Sequence, residues 1–376
     1  MNKFTCPYCY AEHGITDCGL KCSYYIIGKT DNCKFGIPKD KNGWIPLAYK
    51  KKCINCKETA QQLYCNDTMK EIPRDFLDMR SLPIALLGAK ASGKSNYIGV
   101  LIEEIRKKMA RTFNCSLSMS CSKESKDAYD ELYYKPLYIN GSTVKATDLG
   151  EVPPPLIFPL SFMNKKNRIV NMAALTFYDT AGENLNDQSE MHKYNRYITN
   201  AHGIIILLDP LQVPKIRELL TNNGFNALPA QNTAIYDVLD IIITMIRKVK
   251  KVKGQIQIPL ALVFTKIDVL EQYNVLPEGS CLKEESEHIK RGAFIRPDFE
   301  NTNIQMKDLI DNWLDADLLN YIKLFKQHSF FGVTALGQNP TNGGTKIDSK
   351  GIRPRRVLDP LLWLLAEHGH IKSLKK

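Results

Sequence analysis

No stretch of this chain of 376 residues approaches the roughly 18 consecutive apolar residues that a membrane-crossing helix needs. That lack predicts no transmembrane segment. The opening residues, Met1 to Cys6, carry no apolar core of a secretory leader, which predicts a cytoplasmic location. No internal repeat is visible, so a solenoid or propeller array is excluded. Acidic excess is missing too: 51 Lys and Arg face 40 Asp and Glu, a formal charge of +11. What remains is the composition of a folded protein, 44% hydrophobic and 9% aromatic. The length suits one large α/β domain plus a small module.

A basic balance raises nucleic acid or an anionic membrane surface as partners. The distribution weakens that reading. Residues 1–80 hold 13 Lys and Arg against 9 Asp and Glu. Eight cysteine thiolates around two dications would cancel that excess of four. The remaining excess lies in Lys248–Lys253 and in the tail from Ile371 to Lys376. The first run ends an expected long helix before Gly254, where cations favour the helix dipole. Nucleic-acid binding is therefore possible but not favoured.

The decisive stretch is Gly88-Ala89-Lys90-Ala91-Ser92-Gly93-Lys94-Ser95. It spells G-x-x-x-x-G-K-S, the Walker A phosphate loop. Glycines let successive backbone N–H groups turn inward onto phosphate oxygens. Gly88, Ala91, Ser92 and Gly93 are the predicted cradle. Lys94 reaches the β- and γ-phosphates and is the predicted catalytic cation, and Ser95 ligates Mg²⁺. The context agrees. Leu82–Leu87 is a short apolar run fit for a buried strand, and Asn96 to Met109 has helical spacing at Ile98, Leu101, Ile102 and Ile105.

Three later segments address the nucleotide. Ala173–Tyr178 reads as a strand leading into Asp179-Thr180-Ala181-Gly182-Glu183. In a D-x-x-G loop the aspartate holds Mg²⁺ through water and the Gly182 N–H meets the γ-phosphate. Leu260–Phe264 reads as a buried strand leading into Thr265-Lys266-Ile267-Asp268, a variant of the guanine reader N-K-x-D. Asp268 can accept from both guanine N1–H and the exocyclic amine, and the Lys266 stem packs over the base. Adenine offers no such donor pair, so GTP and GDP are the expected nucleotides. Finally, Thr334 and Ala335 in Phe330–Gly337 sit where a backbone N–H meets guanine O6.

These four elements, in this order, resemble the translation-factor-related class of P-loop GTPases over residues 82–370. Gly203–Pro210, Val333–Gly337 and Arg356–Trp363, with the cysteine-rich start, are similar to bacterial double-GTPase-type proteins of biological-conflict systems. The resemblance implies a GTP-dependent switch acting with effector or regulator proteins in defence or programmed cell death. It also implies the P-loop GTPase fold, a mostly parallel sheet with helices on both faces.

Eight of the eleven cysteines fall within the first 65 residues: Cys6, Cys9, Cys18, Cys22, Cys33, Cys53, Cys56 and Cys65. Cys6/Cys9 and Cys53/Cys56 are C-x-x-C pairs, whose turn places two thiolates on one tetrahedral metal. Disulfides sit poorly with a reducing compartment, and free cysteines sit poorly with this density. The expectation is a zinc ribbon or treble-clef-like module over 1–66 holding two Zn²⁺. Cys6/Cys9 with one further pair would take one ion and the other four the second, and His13 is an alternative ligand. Residues 67–81 read as a linker, and 82–376 as the GTPase domain with insertions.

Within that domain, Leu156–Phe162 and Arg168–Phe177 should pair across an Asn164–Asn167 turn. The Mg²⁺-sensing threonine of the first switch should precede them. Thr147 is the choice and Thr143 the rival. Glu183 stands where many GTPases carry the glutamine that orients the attacking water, so either Glu183 or a partner's group performs that task. Arg196 is a charge clamp or, more simply, a surface ion-pair residue. Slow intrinsic turnover, raised by a partner, follows.

Overall fold

A computed structural model describes residues 4–14, 18–22, 51–52, 59–72, 80–88, 92–119, 122–145, 155–177, 188–226, 228–229, 235–314, 316–341 and 344–375. The cysteine-rich head contributes β1 (Phe4–Thr5), β2 (Glu12–His13), β3 (Cys18–Cys22), β4 (Lys51–Lys52), β5 (Thr59–Cys65) and β6 (Glu71–Ile72). β1 and β2 form a small hairpin. β5 pairs antiparallel with β3, β4 and β6. Residues 71–72 of the expected linker thus belong to the head sheet.

β7 (Arg80–Gly88) starts the body and runs into the phosphate loop. Helix α1 (Lys94–Glu104) follows and continues through a wider-wound turn, Ile105–Met109, to Thr112. β8 (Cys115–Leu117) is a short strand that the sequence pattern did not suggest. α2 (Lys123–Tyr129) is capped by the Ser122 hydroxyl, which accepts from the Ser125 N–H. It widens over Asp130–Ile139, around Pro136, which has no N–H to give the ladder.

β9 (Leu156–Met163) and β10 (Ile169–Phe177) form the expected hairpin. Its turn closes with the Asn164 N–H donating to the Arg168 carbonyl, and Asn167 takes φ +54°. Then come α3 (Gln188–Thr199), β11 (Gly203–Leu208), α4 (Pro214–Asn222), α5 (Ile235–Lys250), β12 (Leu260–Phe264) and α6 (Ile267–Gln272). α7 (Glu287–Arg291), β13 (Phe294–Ile295), α8 (Arg296–Trp313), α9 (Ala316–Ile322), β14 (His328–Gly332), α10 (Asp359–Glu367) and β15 (Ser373–Leu374) complete the chain. α5 ends at Lys250, because Lys251 turns left-handed at φ +53°, ahead of the expected stop at Gly254.

The seven-stranded sheet has the order β14-β12-β11-β7-β10-β9-β8. β14, β12, β11, β7 and β10 are mutually parallel. Alternation along each central strand sorts side chains to two faces. Ala85, Leu87, Ile204 and Ile206 face α3, α5 and α8. Ile84, Leu86, Ile205 and Leu207 face α1, α2 and α10. Burial on both faces explains the unbroken apolar runs of these strands. α10 packs so close that a Cβ on Gly203 would lie 2.6 Å from Leu364.

The head supplies a missing layer. Ile157 of β9 and Ala174 of β10 point to the sheet face opposite α1, α2 and α10 and are buried with Phe4, Cys6, Cys9, Leu63 and Ile72. Module and body therefore share a hydrophobic core. Among the described residues, no helix is long and apolar enough to cross a membrane.

Candidate functional site

The phosphate-loop residues Gly88, Ser92, Gly93, Lys94 and Ser95 fall where β7 ends and α1 begins, the placement their spelling predicts. Gly93 caps α1 at φ +83°, a left-handed turn that glycine takes without strain. A Cβ on Gly88 would lie 2.5 Å from Ser92 Oγ and 3.0 Å from the Leu207 carbonyl, so only glycine fits. The Ser92 hydroxyl is buried with no hydrogen-bond partner among the described residues, as suits a polar group that awaits a ligand.

Thr265 follows the last residue of β12 and joins this loop to the next. Its hydroxyl lies 3.1 Å from the Ser92 carbonyl and 3.0 Å from the Leu208 carbonyl, and donates to that pair. Lys266 follows in a left-handed turn, φ +53°. Its Nζ sits 2.6 Å from Oδ2 of Asp209, whose side chain is buried. Asp209 Oδ1 also accepts from the Leu211 N–H. Asp209 thus fixes Lys266, a task that its place at the end of β11 did not disclose. Asp268 lies half-buried at the start of α6, and its N–H donates to Thr334 Oγ1 at 3.2 Å. Burial raises its carboxyl above the ordinary range, opposed by hydrogen bonds from its own N–H and Thr334 and by the charges of Arg355 and Lys266.

Behind Thr334 runs the segment 353–359. Thr334 and Arg355 exchange two backbone hydrogen bonds, of 3.0 and 2.9 Å. Arg355 pairs with Glu271 of α6, and the Val357 carbonyl accepts from the Tyr97 hydroxyl of α1. Arg356 turns inward at φ +55° and binds Asp298 through both terminal nitrogens, each at 3.0 Å, and Asp359 at 2.9 Å. Burial pushes the Asp298 carboxyl up, but the bonds and charge of Arg356 prevail and hold it below the usual value. His288 completes this group and accepts from the Ile295 N–H at Nδ1. The guanidinium occupies the position a cation would take, so the cluster is an ion-pair network. A cavity of about 590 Å³ opens beside Asp268, Thr334 and Arg355, with Glu104, Lys107 and Tyr138 on its other wall.

In the head, Cys6, Cys9, His13 and Cys65 are buried, with one ligand atom of each within 4.8 Å of the others. Cys65 Sγ is 3.6 Å from Cys9 Sγ, and His13 Nε2 is 2.9 Å from Cys9 Sγ. Thiolates on a tetrahedral zinc with bonds of about 2.3 Å sit roughly 3.8 Å apart. The donor set therefore fits zinc. Hydrogen bonds from Cys6 and Cys9 pull the Cys65 thiol well below its ordinary value, and the reciprocal bonds push Cys6 up. His13 is pushed up to about 10 by bonds to Cys65 and Cys9. Of the two predicted ligand groups, this one pairs Cys6/Cys9 with Cys65 and the alternative ligand His13. Cys18 lies outside it, with Sγ 3.8 Å from the Gly14 carbonyl.

Ala91, Thr147, Asp179, Gly182 and Glu183 lie outside the described residues, as do Cys33, Cys53, Cys56 and the side chain of Cys22. The rival switch residue, Thr143, is engaged elsewhere, its hydroxyl 3.0 Å from the Gly344 carbonyl. Ala335 follows Thr334 in the segment after β14. Arg196 pairs with Asp67 at 3.2 Å on the surface, the simpler of its two readings.

Residues 82–328 match the model of the Double-GTPase 2 family, two thirds of the chain. The chain belongs to that family. Its mostly parallel seven-stranded sheet, with a phosphate loop leading from β7 into α1, is a GTPase fold with a cysteine-rich module in front. Among curated proteins it is 26% identical to the putative ESX-1 scaffolding and assembly protein SaeC of Mycolicibacterium smegmatis, over 79% of this chain and 78% of that one. Among solved structures it resembles the Saccharomyces cerevisiae Ski7 GTPase-like domain bound to GTP, at 16% identity and a TM-score of 0.31 over 77% of this chain and 50% of that one. Sup35 complexed with GDP follows at 11% identity and a TM-score of 0.24, over 79% and 48%. The chain spans about half the length of these solved structures.

Proposed function

We propose that this Double-GTPase 2 member binds guanine nucleotides with Mg²⁺ and hydrolyses GTP slowly, as a switch read by partner proteins. The observation that carries the reading is the junction of three loops. Thr265 ties the phosphate loop to the base loop, Asp209 orients Lys266, and Thr334 seats Asp268. Gly88, Ala91, Ser92, Gly93 and Lys94 would hold the phosphates. Lys266, Asp268, Thr334 and Ala335 would hold the base. Ser95, Thr147 and Asp179 would hold Mg²⁺, which when bound neutralises charge developing on the phosphate oxygens. Gly182 would sense the γ-phosphate, and hydrolysis would release its loop. Glu183 would sit near the attacking water, where its negative charge slows the reaction. In the head, Cys6, Cys9, Cys65 and His13 would hold one zinc, with Cys18, Cys22, Cys33, Cys53 and Cys56 available to a second.

A role in assembling a bacterial multiprotein system draws support from the relative's description as a scaffolding and assembly protein. The same description favours a second reading, a GTP-binding adaptor with little hydrolysis whose head recruits a partner. A defence role rests on the family resemblance. Single-turnover hydrolysis of bound GTP separates switch from adaptor. Measurable phosphate release that changes in Glu183→Gln more than GTP affinity does is the expected result. GTP that stays intact over hours points to the adaptor.

A further inference from the structure

Between the two sites lies a contact that neither motif announces. Among the described residues, β10 pairs with β7 from Ala173 opposite Arg80 to Thr176 opposite Pro83. On its other flank β7 pairs with β11 from Ile84 to Gly88. Past Pro83, the β7 backbone groups that face away from β11 have no strand partner among the described residues. One side-chain atom meets them. The Tyr197 hydroxyl donates to the Ile84 carbonyl at 2.6 Å and accepts from the Leu86 N–H at 2.9 Å. Tyr197 is fully buried and belongs to α3, the helix that follows the D-x-x-G segment. It pegs that helix to the strand two residues before the phosphate loop begins.

The other face of Tyr197 meets the metal knuckle. Tyr10 follows Cys9 directly, in a left-handed turn at φ +56° whose N–H donates to the Cys6 carbonyl. Its ring is buried against Tyr197, with centroids 5.0 Å apart. Its carbonyl accepts from the Asn200 amide at 2.8 Å, just past the end of α3. The turn that sets two candidate zinc ligands therefore also sets the residue behind the peg.

We propose that Tyr197 is a positioning residue for the phosphate-loop strand and that Tyr10 links it to the knuckle, so that zinc in the head and guanine nucleotide in the body each tighten the other's binding. This rests on the zinc and nucleotide readings above. A zinc-held knuckle keeps Tyr10 against Tyr197. Tyr197 keeps α3 and β7 in the register that the phosphate loop needs. Linkage makes the effect reciprocal, by the same factor in both directions.

The test uses the full chain. Zinc affinity is measured by competition with a chromogenic chelator, with and without saturating GDP, and release of a fluorescent GDP is measured from zinc-loaded protein. In wild type, GDP should tighten zinc by about fivefold or more. Tyr197→Phe keeps the ring and removes only the hydroxyl. It should speed GDP release from zinc-loaded protein and reduce the zinc coupling. Tyr10→Leu keeps an apolar side chain against Tyr197 and should also weaken the coupling, while zinc affinity without GDP stays near wild type. A merely structural role would lower the melting temperature and leave the coupling ratio unchanged. Equal zinc affinity with and without GDP in wild type, or wild-type coupling in both variants, overturns the proposal alone. Failure to take up zinc, or to bind guanine nucleotide, overturns the reading beneath it as well.

Discussion

Thr265 stands where the commoner spelling of the guanine loop has asparagine, and its short hydroxyl still spans two loops. Leu208 keeps another donor, the Thr265 N–H, so the group at stake is the Ser92 carbonyl. Thr265→Val keeps the shape and removes the donor. It should weaken GTP binding by about 1–2 kcal/mol, roughly five- to thirtyfold. A fluorescent-nucleotide titration reads this, and wild-type affinity would show that the brace does not serve the nucleotide. Lys94→Ala should remove tight binding altogether. If that variant titrates like wild type, the phosphate loop is misassigned. At this scale the sequence was legible where chemistry is local. Gly88, Gly93 and Lys94 announce themselves by spacing, whereas Asp209 and Tyr197 act on partners that only the folded sheet brings near.

Strands and helices of the body were readable because each carries its own period. β12 spans Leu260–Phe264 as its apolar run predicts, and Leu361, Leu362 and Leu365 of α10 are buried on the sheet. Short pairings were not readable. β13 and β15 are two residues each and depend on each other across the chain. The Arg356 network has no local sequence signal for the same reason, since Asp298 of α8 and Arg356 meet only in the folded chain. Arg356→Met would leave Asp298 and Asp359 buried without their cation. It should destabilise the fold by about 3–5 kcal/mol, read by chemical denaturation at neutral pH. The sign of the pH effect follows from Asp298. Its folded pKa is depressed, so its contribution is present above the unfolded value near 4 and lost as pH falls through the folded value. The wild type should lose this contribution on acidification, and the variant should have little of it to lose.

The whole molecule departs most from a chain of separable modules. Cysteine spacing predicts a small self-contained head, and its own core would be marginal. In the structure its apolar residues close over Ile157 and Ala174 of the GTPase sheet, which no local pattern reveals. Chelating zinc should therefore lower the melting temperature of the entire chain in one calorimetric transition. A body transition unmoved by chelation would mean that the shared core adds little.

The central claim is that this fold reads guanine through Asp268. A carboxylate there needs two donors on one base edge, and its half-buried setting makes a mismatch costly, about 1–3 kcal/mol per unsatisfied group. Asp268→Asn turns an acceptor into a donor and should trade GTP for xanthosine triphosphate, whose extra carbonyl accepts from the new amide. The direct measurement is competition among GTP, ATP and XTP for the wild type and for Asp268→Asn. The account predicts that the wild type prefers GTP by at least tenfold over ATP and that the variant prefers XTP. Equal affinity of the wild type for ATP and GTP would contradict it.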